Sequence, residues 1–472
     1  MSSAKIVKDT LFYGLVPKLT IFISVFTLPL ITPYLTTYDY GISGVISSYS
    51  SFMVAILPLG LNVHLTNSFF ELPRHYNLVW GRILYLMLFS SFIFFFANFV
   101  ILFFTLPICN TSSLLLLCII GSLPILYTVN NVFAQHLFPL VQTPKPLVMT
   151  NLLGSVLGIL LSFIFIYYFH LGYWGLVVPS VFSGLVVFIL FVKFVWVDYD
   201  IKPIMERKMK RVLWMLKISL PLVPHTLGFV FLTSSARVVM SQMDISYNEI
   251  GLYSHGCSMG DYAVMVTTAL VTAISPQIQR AYRDRNFTKY RKLYYLCQSV
   301  ALVSSICICL WLPEIYSVLI RNEELKLSLP VASLLCFSNV VMAFYVFLST
   351  PVFIEKNTML LLWLVFVPGV INLTLCVAFI PIFGYMTAVY ASIISYWSQL
   401  LIPFFVGFYK QNVSLWLGNL KKIIYILILL LACLVVSQYL SEMSFVLKLL
   451  TTMVVLSSFG VYYKHNKMNE LL

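Results

Sequence analysis

KFVWVDYDIKPIMERKMKRVLWMLK, residues 193–217, is the longest polar run in the chain. It holds Asp198, Asp200, Lys202, Glu206, Arg207, Lys208, Lys210 and Arg211, and on either side the sequence is almost unbroken apolar residues cut by short turns. Of the 472 residues, 60% are hydrophobic and 10% charged, with a mean hydropathy of +0.95. A soluble fold of this size cannot cover its surface with so few charges. The chain reads as an all-α, multi-pass membrane protein, and the run 193–217 as a cytoplasmic connector between two embedded halves. The formal charge of +13 does not imply a nucleic-acid partner, because membrane proteins collect Lys and Arg on their cytoplasmic side.

Outward from the connector, a membrane span needs roughly 20 apolar residues. Fourteen stretches qualify: 11–36, 42–68, 80–106, 112–138, 147–169, 172–196, 213–241, 248–276, 292–320, 328–353, 358–380, 384–408, 422–440 and 444–463. Turn punctuation separates them, as at Leu106-Pro107, Thr143-Pro144 and Phe383-Gly384. With the N-terminus inside, 24 of the 29 Lys and Arg fall in inside segments, seven of them in the connector and six from Arg280 to Lys292. Outside loops hold two, Arg321 and Lys326, while Lys18, Arg237 and Lys448 lie within spans. This is the positive-inside pattern with both termini cytoplasmic, and one helix more or fewer would scramble it. The first apolar run is too long for a cleaved signal peptide and lacks a cleavage site, so it is expected to stay as a helix. The nine cysteines are odd in number, lie mostly in apolar runs and have no metal-ligand spacing, so no disulfide framework, metal or cofactor is expected.

The halves repeat. Thr37-Tyr38-Asp39-Tyr40-Gly41-Ile42 matches Tyr247-Asn248-Glu249-Ile250-Gly251-Leu252, and Val16-Pro17-Lys18 matches Val223-Pro224-His225. Leu106-Pro107 matches Leu312-Pro313, and Leu171-Gly172-Tyr173 matches Phe383-Gly384-Tyr385, all at offsets between 206 and 212 residues. The expected organisation is a six-helix lobe over 1–196, a connector over 197–212, a second six-helix lobe over 213–409, and two further helices with a tail over 410–472. Repeats of like orientation are related by an axis along the membrane normal, with a substrate site at their interface.

The Tyr-Asp-Tyr-Gly-Ile start of the second span, its echo Glu-Ile-Gly-Leu-Tyr and the two six-helix lobes resemble the polysaccharide exporters of the multidrug/oligosaccharidyl-lipid/polysaccharide (MOP) superfamily. The likeness is to Wzx-type O-antigen flippases and covers the chain to about Tyr409. It implies a V-shaped pair of lobes in a bacterial inner membrane. It implies alternating access that carries an undecaprenyl-diphosphate-linked oligosaccharide, an O-antigen or capsule repeat unit, from the cytoplasmic to the periplasmic leaflet. It also implies membrane lipids, the polysaccharide polymerase and the chain-length machinery as partners.

Embedded charges mark candidate sites, since a charge at a helix centre costs roughly 2.5–3.5 kcal/mol on insertion scales. Asp261 is the one carboxylate about halfway along a span; it is either a helix–helix partner or a cavity acid that pairs with a cation or takes up a coupling proton. Arg237 either snorkels to the outer surface or faces the cavity. Lys18, about eight residues into the first span, lies deeper than a lysine stem comfortably reaches. Together Lys18 and Arg237 would clamp an anionic diphosphate, and His225 stands at the repeat position of Lys18. Asn130 and Asn131, near Gln135, would bind sugar hydroxyls or join helices. Glu71, Arg74 and Arg280 read as interfacial anchors or an inner gate. Pro17, Pro221, Pro224 and Pro368 are expected to kink their helices.

Three other classes fit the sequence less well, and the two-fold repeat with its kinking prolines argues against one of them, a purely structural membrane scaffold. A cation-coupled multidrug exporter of the same superfamily would want carboxylates deep in the first lobe, where there are none. A membrane polymerase or acyltransferase would want a large outer loop, yet the longest runs only from about Leu312 to Leu327. With no nucleophilic triad and no GxxxxGK[ST] motif, the expectation is a transporter without enzymatic activity.

Overall fold

The computed structural model describes residues 23–206, 208–336, 338, 340–355, 357, 359–418 and 444–465. The chain opens with α1 (Ile23–Tyr34), α2 (Thr37–Ile56), α3 (Asn62–Glu71), α4 (Tyr76–Thr105), α5 (Thr111–Leu140), α6 (Pro144–Tyr167) and α7 (Trp174–Val192). After the connector come α8 (Met209–Ser219), α9 (Val223–Thr233), α10 (Ser235–Gln242), α11 (Tyr247–Arg283) and α12 (Phe287–Leu319). Then follow α13 (Glu323–Lys326), α14 (Leu329–Leu335), α15 (Val340–Ile354), α16 (Met359–Phe383), α17 (Met386–Ser398), α18 (Ile402–Phe405), α19 (Gly407–Leu417) and α20 (Phe445–His465). The described residues contain no strand, and eight of their helical stretches, with Met209–Thr233 taken through its 3₁₀ turn, are long and apolar enough to cross a membrane. The expected all-α membrane fold is present. Every expected span within the described residues coincides with a helix or a broken run of helices; the span 422–440 and residues 11–22 of the first span lie outside them.

Several spans expected as single helices are broken, among them 328–353 and 384–408, and two of the broken spans lie in the first unit. The run 42–68 divides at Leu57–Leu61, where Leu59 and Gly60 take φ of +49° and +70°. Gly60 is required there: a Cβ would lie 2.1 Å from the Ser219 carbonyl oxygen. The run 213–241 breaks at a 3₁₀ turn, Leu220–Leu222, which contains Pro221, and again at Ser234. Proline removes a backbone donor, so the α-ladder cannot pass through unchanged. Pro368, expected to kink its span, sits inside α16, which continues beyond it. Pro17 lies outside the described residues.

The motif at Asp39 explains itself locally. The Thr36 hydroxyl accepts from the Asp39 amide while Asp39 Oδ2 accepts from the Thr36 amide at 2.8 Å, a capping box that starts α2. The other carboxylate oxygen accepts from the Tyr173 amide at 2.7 Å, and Gly172, at φ +54°, leaves room for it. One acid thus fixes the start of α2 and the α6–α7 turn together. In the second half, Glu249 Oε2 accepts from the Ser246 amide and hydroxyl to start α11 in the same way.

The residues group into two compact units, one reaching Gly251 and the other beginning at Leu252. Helices 209–242, which the repeat assigns to the second half, pack with the first unit: α9 and α10 lie along α2, and α8 lies on α3. Between helices in lipid there is no hydrophobic drive, so small residues and buried hydrogen bonds must hold them. In the first unit the Asn98 amide donates to Ser122 Oγ at 2.9 Å, and the Ser50 hydroxyl donates to the Gly121 carbonyl at 3.0 Å, tying α2, α4 and α5. Trp80, fully buried, donates to the Leu65 carbonyl at 3.0 Å. In the second unit the Tyr290 hydroxyl donates to the Phe347 carbonyl at 2.6 Å and the Ser305 hydroxyl to the Cys336 carbonyl at 3.0 Å. There α20 is anchored to α12 by the ion pair of Lys448 with Glu314, 2.5 Å, and by Trp311 Nε1 donating to Thr452 Oγ1, 2.9 Å.

Candidate functional site

A cavity of about 510 Å³ lies within the first unit, among α1, α5, α6 and α7. Its polar lining is amide and hydroxyl: Ser24 and Thr27 from α1, Asn131 from α5, Asn151 and Ser155 from α6, Ser183 from α7. No ionisable side chain is among its described lining residues. Sequence makes this surface simply. Asn151, Gly154, Ser155, Gly158 and Ser162 recur at helical spacing and form one stripe of α6. Ser180, Ser183, Gly184 and Val187 do the same on α7. The glycines let α6 and α7 approach, since a Cβ on Gly154 would meet Val187 Cγ2 at 2.3 Å and one on Gly158 would meet Ser183 Oγ at 3.2 Å. The described part of this wall offers many donors and acceptors and no fixed charge. Its chemistry suits a neutral, hydroxyl-rich ligand.

The residues singled out from sequence fall on several different elements. Asn131 lines this cavity, and its Oδ1 accepts from Gln135 Nε2 at 3.2 Å. Asn130, one position earlier, is fully buried with its Oδ1 accepting from Trp196 Nε1 at 2.9 Å, joining α5 to the stretch after α7. Arg237 is half-buried on α10, with a guanidinium nitrogen 3.5 Å from the Thr233 carbonyl oxygen. His225 is half-buried in the first turn of α9, its ring edge-on to Phe229 at 5.5 Å. Neither belongs to the cavity lining. Asp261 lies in the second unit, exposed on α11 and near enough for its charge to act on the Tyr396 hydroxyl and the Cys336 thiol. Glu71, Arg74 and Arg280 are all exposed, at the ends of α3 and α11 and in the turn after α3. Lys18, the other half of the expected clamp, lies outside the described residues.

Sequence reasoning missed the Ser, Thr and Gly lining because it searched for embedded charge. The signal that would have found it is the small-polar stripe on α6. It also missed an ionic cluster at the connector: Glu206 Oε2 takes Arg82 Nε at 3.2 Å and Arg211 Nη1 at 2.7 Å. The Arg211 hydrogen bond and the Lys208 amide hold the Glu206 carboxyl below its usual range. The connector is also held by the Ile204 backbone amide on the Gly81 carbonyl at 2.9 Å and by the Asn77 side-chain amide, which donates to the Tyr199 carbonyl at 3.1 Å.

Comparison with known proteins gives the fold and the family. The fold matches an inward-facing multidrug resistance MATE family transporter of the MOP superfamily with a TM-score of 0.58 and 15% identity, over 88% of this chain and 96% of that one. An outward-facing structure, also of a multidrug resistance MATE family transporter of the MOP superfamily, matches at 0.52 and 14% over the same shares. No curated protein matches the chain. At these identities the likeness establishes the fold alone. The family model described as "polysaccharide biosynthesis protein" matches residues 6–282, more than half of the chain. The chain is therefore a multi-pass membrane protein of the polysaccharide biosynthesis family, built on the fold of the MOP superfamily transporters.

Proposed function

We propose that this protein is a flippase that carries a polyprenyl-diphosphate-linked oligosaccharide, a repeat unit of a surface polysaccharide, from the cytoplasmic to the periplasmic leaflet of a bacterial inner membrane. The observation that carries the reading is the cavity of about 510 Å³, whose described lining is amide, hydroxyl and apolar, in a chain of the polysaccharide biosynthesis family. Sugar hydroxyls leaving water need donors and acceptors in kind, because a bare polar group in hydrocarbon costs several kcal/mol, roughly 4–8 for transfer to cyclohexane. The cavity wall supplies them while a polyprenyl tail stays in lipid. Alternating access would be carried by movement of helix bundles against each other, with both termini cytoplasmic. The polymerase and chain-length machinery then act on the product outside.

The reading is tested in a strain lacking the gene. Lipid-linked repeat units should accumulate on the cytoplasmic leaflet; repeat units that reach the periplasm unpolymerised would instead indicate a polymerase. A second reading, cation-coupled export of drugs, draws support from Asp261, a carboxylate exposed midway along α11. Unchanged glycolipids with altered sensitivity to cationic drugs would favour it.

A further inference from the structure

The first unit holds a second cavity, of about 610 Å³, at its connector end between α3, α4 and α8. Its lining includes His64, Asn67, Glu71, Arg82, Arg211 and Trp214. The two arginines share one oxygen of Glu206, whose side chain is 6% exposed against 30% for Arg82 and 43% for Arg211. Glu206 is not part of the lining, so the carboxylate holds the guanidinium groups from behind. A guanidinium carries five N–H donors in a planar fork, and a single shared oxygen leaves most of them for a ligand in the cavity. Forked donors match phosphate oxygens.

The rest of the lining fits what a sugar phosphate carries. His64 is already committed, its Nε2 lying 3.1 Å from the Met215 carbonyl oxygen, and it backs the Trp214 ring at 5.7 Å. The Trp214 indole is 59% exposed, a flat apolar plate of the kind that covers one face of a sugar ring. Glu71 and Asn67 are exposed on α3, an acceptor and an amide suited to hydroxyl groups. Leu72, Val79 and Ile218 complete an apolar side.

We propose that this pocket binds a glycosyl phosphate, with Arg82 and Arg211 on the phosphate, Trp214 on the sugar face, and Glu71 and Asn67 on its hydroxyls. The phosphate shares the arginines with Glu206, so binding loosens the hold of the connector on α4 and α8. That the natural ligand is the head group of a lipid-linked sugar, captured before it crosses, rests on the flippase reading. The same chemistry would also take a soluble sugar phosphate.

The experiment uses the full chain in phosphatidylcholine nanodiscs. Two probes are titrated: N-acetylglucosamine linked to dodecyl diphosphate, and N-acetylglucosamine 1-phosphate. The lipid-linked probe should bind, Arg82→Gln with Arg211→Gln should weaken it at least tenfold, and Trp214→Leu should weaken it several-fold. Glu206→Gln should tighten it about threefold or more, a gain that misfolding cannot produce. Binding of the lipid-linked probe alone assigns the site to a membrane head group, and equal binding of the free sugar phosphate overturns that assignment in favour of a soluble ligand. Affinity unchanged in both the double arginine variant and Glu206→Gln overturns the site. These outcomes are separable from the transport reading: a chain that flips its glycolipid yet fails here loses only the pocket.

Discussion

Asn130 and Asn131 are adjacent and face different surroundings, because successive residues on a helix point about 100° apart. Asn130 is buried and bonded to Trp196, whereas Asn131 lines the neutral cavity. Asn131→Leu should therefore lower transport about five- to tenfold, the value of roughly one hydrogen bond, with insertion and melting temperature unchanged. Asn130→Leu should act the other way, lowering thermal stability by about 1–3 kcal/mol through an unpaired indole N–H. Thermal unfolding in detergent beside a transport assay separates the two. Nothing in the two letters told them apart; the difference lies in helix rotation, which needs neighbours to define it. Serines and glycines were passed over for a related reason, since in membrane helices they commonly serve close packing. Glu206 gives a pH prediction. Its carboxyl titrates below the ordinary 4.5 in the folded protein, so its contribution to holding the connector is complete above that value. It is lost as pH falls through the lower folded value. Proteolysis of the connector should be equally slow from pH 6 to 8 and should accelerate only in acid below about 4.5.

At the scale of elements, the repeat motif contains its own contact. A Cβ on Gly41 would lie 2.0 Å from the Tyr247 carbonyl oxygen, and one on Gly251 would lie 1.7 Å from the Thr37 carbonyl oxygen. The two glycines and the two carbonyls they meet are repeat equivalents, so α2 and the start of α11 cross reciprocally. Gly251→Ala must push backbone from backbone and should cost about 1–3 kcal/mol, read as a lowered melting temperature; an unchanged one would mean the crossing is loose. The motif itself was legible from its spacing, but its reason was not, because only the packed pair reveals why glycine is needed. The helix break at Gly60 was hidden similarly, since hydropathy averages over a window and does not register a local backbone turn, whereas the break at Pro221 was legible from the proline itself. The C-terminal helix shows a further limit of the sequence. Lys448 was seen as an embedded cation, but its partner Glu314 sits 134 residues away. Lys448→Met should destabilise by roughly 1–3 kcal/mol, because it strands the carboxylate. Adding Glu314→Gln should recover most of the loss, and a double variant no better than the single one would remove the pair from the account.

For the whole molecule, composition and the placement of Lys and Arg were enough to read a multi-pass helical membrane protein, because the bilayer permits few structures and imposes a charge asymmetry. The neutral cavity was not readable as a site, since its chemistry lies in a surface shared by four helices. The clamp of Lys18 and Arg237 drew on charge alone; Arg237 lies away from the cavity lining, with its guanidinium beside Thr233. In the proposed transport, sugar recognition falls to amide and hydroxyl groups and phosphate recognition to the connector end. The direct measurement is translocation in proteoliposomes that contain the purified chain and a lipid-diphosphate oligosaccharide with a labelled sugar. An impermeant reagent would report which head groups face outward. The account predicts that wild-type protein moves labelled head groups between leaflets many times faster than protein-free vesicles, with no added nucleotide, and that Asn131→Leu slows it. Wild-type vesicles indistinguishable from empty ones, while the same preparation exports a cationic dye, would contradict it.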